Sequence, residues 1–394
     1  MKNLQTTNLA LVQQTAKIDS PIDLNERRKK LADQLIPLNK PYLPAFSKYK
    51  KYLSQMYDNV WLTNNGPLLK EFTVRLEEYL GVKNLLLTAN GTMALQVAYK
   101  ALRLDGNVVT TPYSFIATSS SMDWLGLELN FADIDQQSYN LSAQLAQQAI
   151  NQRTSAIVPV HVYGNPCDVD HFGKLGQQHN LKIIYDAAHA FNVRVNNRSV
   201  LSYGDASVLS LHATKLFHSI EGGAVIFNSS DDYQLASEMI NFGINTANGM
   251  VDNPGVNGKM SEAHAAMGLA MLEDIEEILC RRLEHFDAYK RQLSNNITMP
   301  VWHANASQNA AYFPVTFASE AKCAAVFAAL EKNKIQSRRY FSQSLNTLAH
   351  LHKGNVMPCP NSEEIASKTL CLPLFVELKK SDLAKICRVV NNAL

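Results

Sequence analysis

No run of apolar residues in this 394-residue chain approaches the roughly 18 that a membrane span requires. Its first thirty residues, which end in the charged run Asn25 to Lys30, hold no apolar core of a secretion signal. A chain that is neither exported nor anchored is therefore expected. Paired cysteines are missing too: Cys167, Cys280, Cys323, Cys359, Cys371 and Cys387 are scattered, with no C-x-x-C and no histidine at metal spacing. That excludes a disulfide framework and a zinc site, and it suits a reducing cytoplasm. Charge of one sign is lacking as well. The 37 Lys and Arg nearly cancel the 35 Asp and Glu, and a net charge of +2 leaves no footprint for nucleic acid or an anionic membrane. No G-x-G-x-x-G follows a strand, which argues against a nicotinamide dehydrogenase. There is also no internal repeat, low-complexity tract or Gly/Ser-rich linker.

What is present is ample core material, with 46% apolar and 18% charged residues, in a length that suits one large unit and one smaller one. A polar N-terminal arm is expected over 1–36, a large domain over 37–232 and a small C-terminal domain over 233–394. Seven short apolar runs read as strands: Leu85 to Thr88, Val108 to Thr111, Leu129 to Ile134, Ala156 to Val162, Lys182 to Tyr185, Ala206 to Leu211 and Ala224 to Phe227. Helical patterns separate the earlier ones, at Thr92 to Leu102, Leu141 to Asn151 and Val169 to His179. Strands alternating with helices imply a mostly parallel sheet covered on both faces. The last runs follow one another without helices, so one antiparallel strand is expected. Beyond Asp232 the texture becomes helical. Met267, Met271, Ile275, Ile278, Leu279, Leu283 and Phe286 make one apolar stripe, on a helix or a bent pair of helices, that serves as core or as a subunit interface. Short strands such as Tyr312 to Phe317, with helices at Glu320 to Asn333 and Lys380 to Asn392, complete a small α+β domain.

The chemistry concentrates in three segments. Ser210-Leu211-His212-Ala213-Thr214-Lys215, closed by Glu221-Gly222-Gly223, places an amine at the end of a buried strand, where it can be desolvated and form a Schiff base. Asp186-Ala187-Ala188-His189 follows another apolar strand, and open α/β sheets bind ligands at such ends. Asn90-Gly91-Thr92 begins a helix whose free N–H groups suit an anion. A lysine, a carboxylate and phosphate donors are what pyridoxal 5'-phosphate asks of a protein. Thr111-Pro112-Tyr113-Ser114-Phe115 offers an aromatic lid for its ring, although Tyr113 or Phe115 serves equally well as core.

Together with Thr63-Asn64-Asn65-Gly66-Pro67, Val160-His161-Val162-Tyr163-Gly164, Gly255-Val256-Asn257-Gly258-Lys259-Met260-Ser261-Glu262 and Leu372-Pro373-Leu374, these segments resemble the DegT/DnrJ/StrS sugar aminotransferases from about Asn39 to the C-terminus. The resemblance implies an α/β chain of the aspartate aminotransferase-like fold (fold type I), with a seven-stranded mostly parallel sheet and a small α+β domain. It makes Lys215 the Schiff-base lysine and proton shuttle, Asp186 the partner of the pyridine nitrogen, and His189 a neighbour of the phenolic oxygen. Gly91, Thr92 and Ser210 would hold the phosphate, and Phe115 would stack on the ring. Asn257 would reach the phosphate of a neighbouring subunit, which implies a homodimer with shared sites. Lys259 stands where many members have Arg. Arg338-Arg339-Tyr340-Phe341-Ser342 replaces a Tyr-Pro-containing, His-bearing loop.

A transaminase is the leading reading, with L-glutamate as donor and a nucleotide-linked 4-keto sugar as acceptor. The likeness is nearest the members that make dTDP-4-amino-4,6-dideoxyglucose, for surface polysaccharide (O-antigen) biosynthesis. Arg338, Arg339 and Tyr340 are candidate contacts to the nucleotide diphosphate and base. The alternatives are a 3-keto sugar aminotransferase and a non-catalytic regulatory protein on the same fold. A dehydratase variant in which His replaces the lysine is disfavoured by Lys215. His212 and His218 flank that lysine and are read as packing and loop residues.

Overall fold

A computed structural model describes residues 35–351 and 357–394. Of the expected arm, residues 1–34 lie outside the described residues, and Ile36 pairs with Ile335. The chain proceeds through α1 (Phe46–Asp58), α2 (Pro67–Leu80), β1 (Leu85–Thr88), α3 (Gly91–Ala101), β2 (Asn107–Thr110), α4 (Ile116–Trp124) and β3 (Glu128–Phe131). It continues with α5 (Ala143–Ala149), β4 (Thr154–Val158), α6 (Val169–His179), β5 (Lys182–Asp186), the small hairpin β6 (Arg194–Val195) and β7 (Arg198–Ser199), β8 (Ala206–Ser210) and β9 (Gly223–Phe227).

Seven of these strands form one sheet in the order β1-β9-β8-β5-β4-β2-β3. They coincide with the seven apolar runs. β9 is antiparallel to both β1 and β8, and the other pairings are parallel, so a single strand runs against the rest. Two strand ends come earlier than the pattern suggests. β4 stops at Val158 because Pro159 brings no N–H to a ladder, and the chain then enters a tight turn at Val162–Gly164. β3 gives way after Phe131 to a loop in which Asp133 Oδ1 accepts from the N–H of Ile134. Helices cover both faces of the sheet. One core joins α2, α6 and the following helices to one face, and a second joins α3 and Met239 to the other. Side chains such as Phe72 and Phe172, with no exposed surface, each contribute about 1.5–3 kcal/mol by leaving water.

After α7 (Ser230–Met239) come α8 (Glu262–Leu272) and α9 (Ile275–Gln292), so the apolar stripe is carried by two helices with a break at Glu273 and Asp274. Its members are consumed inside the chain. Met267, Met271, Ile275, Ile278 and Leu279 join the core beside the sheet, while Phe286 joins a separate core. α9 thereby bridges the two. That separate core lies around an antiparallel pair, β10 (Phe313–Thr316) and β11 (Thr369–Leu372), flanked by α10 (Glu320–Lys332), α11 (Pro360–Lys368) and α12 (Lys380–Ala393). Asp133 ties the units together, because its carboxylate accepts the N–H groups of Asn361 and Ser362 at the start of α11.

Because β1, β2, β4, β5 and β8 all run the same way, their C-terminal ends share one edge of the sheet. The segments that open at Asn90, Asp186 and Ser210 are therefore neighbours in space.

Candidate active site

Asp186 is the last residue of β5 and is buried, at 6% exposure. The backbone sets it firmly: its N–H donates to Pro159 O at 2.9 Å and its carbonyl accepts the N–H of His161 at 3.0 Å. Thr118 Oγ1 donates to Asp186 Oδ2 at 2.7 Å, and the N–H of Ala188 donates to Oδ1 at 3.1 Å. Burial pushes the carboxyl above its ordinary value, while those two hydrogen bonds and the charge of Lys215 pull the other way. No ion pair within the described residues balances this carboxylate.

Lys215 is half-buried in the loop after β8. That loop is closed by Leu211 N–H to Gly222 O at 2.8 Å and Ala213 N–H to Ile220 O at 2.7 Å. Burial lowers the amine from its ordinary value of 10.5, opposed by the charge of Asp186. Its Nζ donates to the hydroxyl of Tyr312 at 3.4 Å. Beside it, His189 Nδ1 accepts the N–H of Tyr163 at 3.2 Å, which leaves the proton of the neutral ring on Nε2. Burial, with Lys215 adding repulsion, holds His189 well below the usual imidazole range. The ring rests against Tyr312, centroids 4.5 Å apart.

The start of α3 supplies the anion seat. Asn90 caps the helix by accepting the N–H of Met93 at 2.8 Å, so the N–H groups of Gly91 and Thr92 are the first-turn donors left without an intrahelical partner. A side chain at Gly91 would place its Cβ 3.1 Å from Ser210 Cβ, and one at Gly223 would fall 2.5 Å from the backbone of Asn90. The glycines thus let α3, β8 and β9 converge.

These groups face a single cavity of about 680 Å³. Of the residues expected from sequence, Gly91, Thr92, Phe115, Asp186, His189, Ser210, Lys215, Arg338 and Tyr340 line it. Phe115, half exposed at the cap of α4, presents an aromatic face. Asn257 and Arg339 are not among the lining residues. Asn257 is exposed and bridges Asn241. Arg339 Nη2 donates to Ala366 O at 3.2 Å and Ser367 O at 2.8 Å, at the carbonyl end of α11. Of the flanking histidines, His218 bonds the carbonyl of Tyr42 at 2.8 Å, while His212 lines the cavity with its Nδ1 2.7 Å from Thr214 Oγ1.

Sequence reasoning assigned no role to Thr118 or Tyr312. Thr118 lies three residues beyond Phe115, and a hydroxyl one helical turn past that ring is the available signal. Tyr312 opens a strand pattern and reads as core. A buried carboxylate without a counter-ion, an amine of lowered basicity, two free N–H groups at a helix start and an exposed ring face form a donor set that fits pyridoxal 5'-phosphate.

A model of the DegT/DnrJ/EryC1/StrS aminotransferase family matches residues 46–391. The chain is 40% identical over 360 residues to a dTDP-4-amino-4,6-dideoxy-D-glucose transaminase of Shigella dysenteriae, covering 90% of this chain and 98% of the relative. It is 37% identical over 367 residues to a transaminase of the same name from Escherichia coli, covering 91% and 98%. Among solved structures, DesI in the presence of its TDP-sugar product superposes with a TM-score of 0.86 at 32% identity, over 91% of this chain and 93% of that one.

Proposed function

The chain belongs to the DegT/DnrJ/EryC1/StrS aminotransferase family, and from that premise we propose that it moves an amino group from L-glutamate to the 4-keto carbon of dTDP-4-keto-6-deoxy-D-glucose. The product would be dTDP-4-amino-4,6-dideoxy-D-glucose. The observation that carries this reading is one cavity that joins the amine of Lys215, the carboxylate of Asp186 and the N-terminus of α3.

Pyridoxal 5'-phosphate, when bound, supplies the electron sink for the charge that develops as a carbon–hydrogen bond breaks beside the nitrogen. Gly91, Thr92 and Ser210 would hold its phosphate, Phe115 would cover a ring face, and Lys215 would attach it. Asp186, whose charged form the hydrogen bonds from Thr118 and Ala188 favour against its burial, would face the ring nitrogen and keep it protonated. His189, neutral with its proton on Nε2, has one donor to offer the phenolic oxygen. Lys215 gives and takes the proton at the reacting carbon in each half-reaction. Its lowered basicity raises the neutral fraction available near pH 7. Arg338 and Tyr340, on the facing wall, are the residues we assign to the nucleotide sugar; Arg338 stands 5.0 Å over the Tyr340 ring.

A homodimer with shared sites is part of the proposal. Support comes from Asn257, exposed and outside its own chain's cavity, and from the exposed Phe242, Met250, Val251 and Val256 around it. Sedimentation of an active monomer would remove this part. A cytoplasmic setting suits the free thiols of all six cysteines. A nucleotide-activated aminosugar is a glycosyl donor, which fits lipopolysaccharide (O-antigen) assembly. The test is the product of the purified protein with dTDP-4-keto-6-deoxy-D-glucose and L-glutamate, read by NMR. Nitrogen at C4 is expected. Nitrogen placed only at C3 of the 3-keto isomer would overturn the regiochemistry.

A further inference from the structure

Tyr340 enters the reaction pocket with open space on both sides. A second cavity, of about 390 Å³, opens across the wall that Tyr312 and Tyr340 make for the first, and Tyr312, Arg338 and Tyr340 line both. A ring between two openings is not locked by packing alone, so its place depends on how its backbone is held. For Tyr312 the hold comes from α9, where Arg282, only 5% exposed, donates through Nε to Ala310 O at 3.0 Å and through Nη2 to Ala311 O at 2.8 Å. For Tyr340 it comes from two buried phenols that follow strands of the sheet, Tyr113 after β2 and Tyr163 after β4. The Tyr163 hydroxyl donates to Tyr340 O, and the Tyr113 hydroxyl stands 2.7 Å from that of Tyr163 and 3.2 Å from the same carbonyl. Each phenol has one proton. Tyr163 gives its proton to the carbonyl, and Tyr113 shares its own between the Tyr163 oxygen and that carbonyl.

Tyr163 is itself held in a conformation that bulky residues seldom adopt, with φ at 58° in the turn Val162–Gly164. Such a backbone persists only where its surroundings over-determine it. Here its N–H donates to His189 Nδ1 at 3.2 Å, and the next residue, Gly164, lies so close that a Cβ would fall 2.8 Å from His189 O. One residue therefore fixes His189 with its backbone and reaches the facing wall with its hydroxyl. We propose that Tyr163, backed by Tyr113, is the positioning residue that sets Tyr340 for the nucleotide of the sugar substrate. The inference rests on the assignment of Tyr340 to the nucleotide sugar above. Neither Tyr113 nor Tyr163 lines either cavity, so both act through Tyr340.

dTDP is titrated by calorimetry into the cofactor-loaded protein, for the wild type, Tyr163→Phe, the double variant Tyr113→Phe/Tyr163→Phe and Tyr340→Ala. The phenylalanines keep every ring and remove only hydroxyls. The double variant leaves the Tyr340 carbonyl without a phenol donor and is expected to raise the Kd of dTDP about tenfold. Tyr163→Phe alone should raise it about threefold, because Tyr113 still reaches the carbonyl, and it carries the test should the double variant fail to fold. Tyr340→Ala should weaken dTDP at least as much as the double variant. The yellow band of both phenylalanine variants, and its pH midpoint, should match the wild type, since the N–H of Tyr163 still meets His189. Unchanged dTDP affinity in the phenylalanine variants, with weakening in Tyr340→Ala, overturns the positioning and leaves the assignment of Tyr340 standing. Weakened dTDP accompanied by a displaced band or midpoint marks a general loosening of the site and overturns it as well. Wild-type dTDP affinity in Tyr340→Ala removes the assignment of Tyr340 itself, and the positioning with it.

Discussion

On the sheet side of the cavity every group follows the end of a regular element: Asp186 closes β5, Lys215 follows β8, and Gly91 opens α3. On the opposite side Tyr312, Arg338, Tyr340 and Phe341 come from connecting segments and touch one another mainly through rings. Tyr312 meets Tyr340 at 5.5 Å, and Tyr340 meets Phe341 at 5.9 Å. The first wall inherits its geometry from backbone ladders, which hold an atom to a fraction of an ångström. The second depends on packing of large side chains, which can be exchanged without disturbing the sheet. Chemistry belongs on the stiff wall, and selection of the substrate on the adaptable one.

If that division is right, the greatest losses follow changes on the sheet wall. Lys215→Ala should leave a purified protein that cannot be turned yellow by pyridoxal 5'-phosphate and whose transamination falls by at least about 10²–10⁴, the span expected for removing a general base. Asp186→Ala should fold and bind the cofactor, yet turn over about 10²–10³ more slowly for want of the charge that supports the ring nitrogen. Wild-type turnover in either variant would dissolve the contrast between the walls.

A smaller effect lies behind the same wall. His161 is fully buried, stacks on Tyr185 at 4.7 Å, and is pulled from 6.5 to about 3 by burial, with His303 adding to it. The unfolded chain takes up this proton near pH 6.5 and the folded chain refuses it until about pH 3. The stabilisation is therefore present above the unfolded value and lost as pH falls through that window, at about 1.4 kcal/mol per pH unit. Urea midpoints of wild type and His161→Gln between pH 7 and pH 5 should show the shallower decline in the variant. Equal slopes would mean that the burial does not bear on acid sensitivity.

The smallest expected change is on the adaptable wall. Tyr312→Phe keeps the ring against His189 and removes one long hydrogen bond to Lys215, so kcat should drop only about fivefold, in line with about 1 kcal/mol for such a bond. A loss as large as that of Lys215→Ala would place Tyr312 with the stiff wall.

The two walls also differ in how far they could be read from the amino-acid order. All seven sheet strands are visible as short apolar runs, and the antiparallel one is visible from the missing helix before it. Asp186 and Lys215 stand out because a polar residue at the end of a buried strand breaks a pattern. Tyr312 breaks none, since an aromatic residue at the head of a half-buried strand is what core requires. Arg338 and Arg339 read as one basic pair, yet neighbours in an extended segment point to opposite sides. Arg338 faces the cavities, and Arg339 meets the carbonyls that end α11, where a cation is favoured. Arg282 lay hidden in a helix whose charged residues are mostly solvated, because its burial depends on contacts made 28 residues further along the chain.

The most direct measurement of the central claim separates the two half-reactions by colour. The yellow cofactor-loaded protein is mixed with excess L-glutamate, freed of the amino acid, and then given dTDP-4-keto-6-deoxy-D-glucose while its absorbance is followed. Bleaching by glutamate and stoichiometric recovery with the sugar nucleotide are expected, with little recovery from the free keto sugar. A colour that glutamate leaves unchanged, or one that the sugar nucleotide fails to restore, would contradict a transaminase built around Lys215 and Asp186.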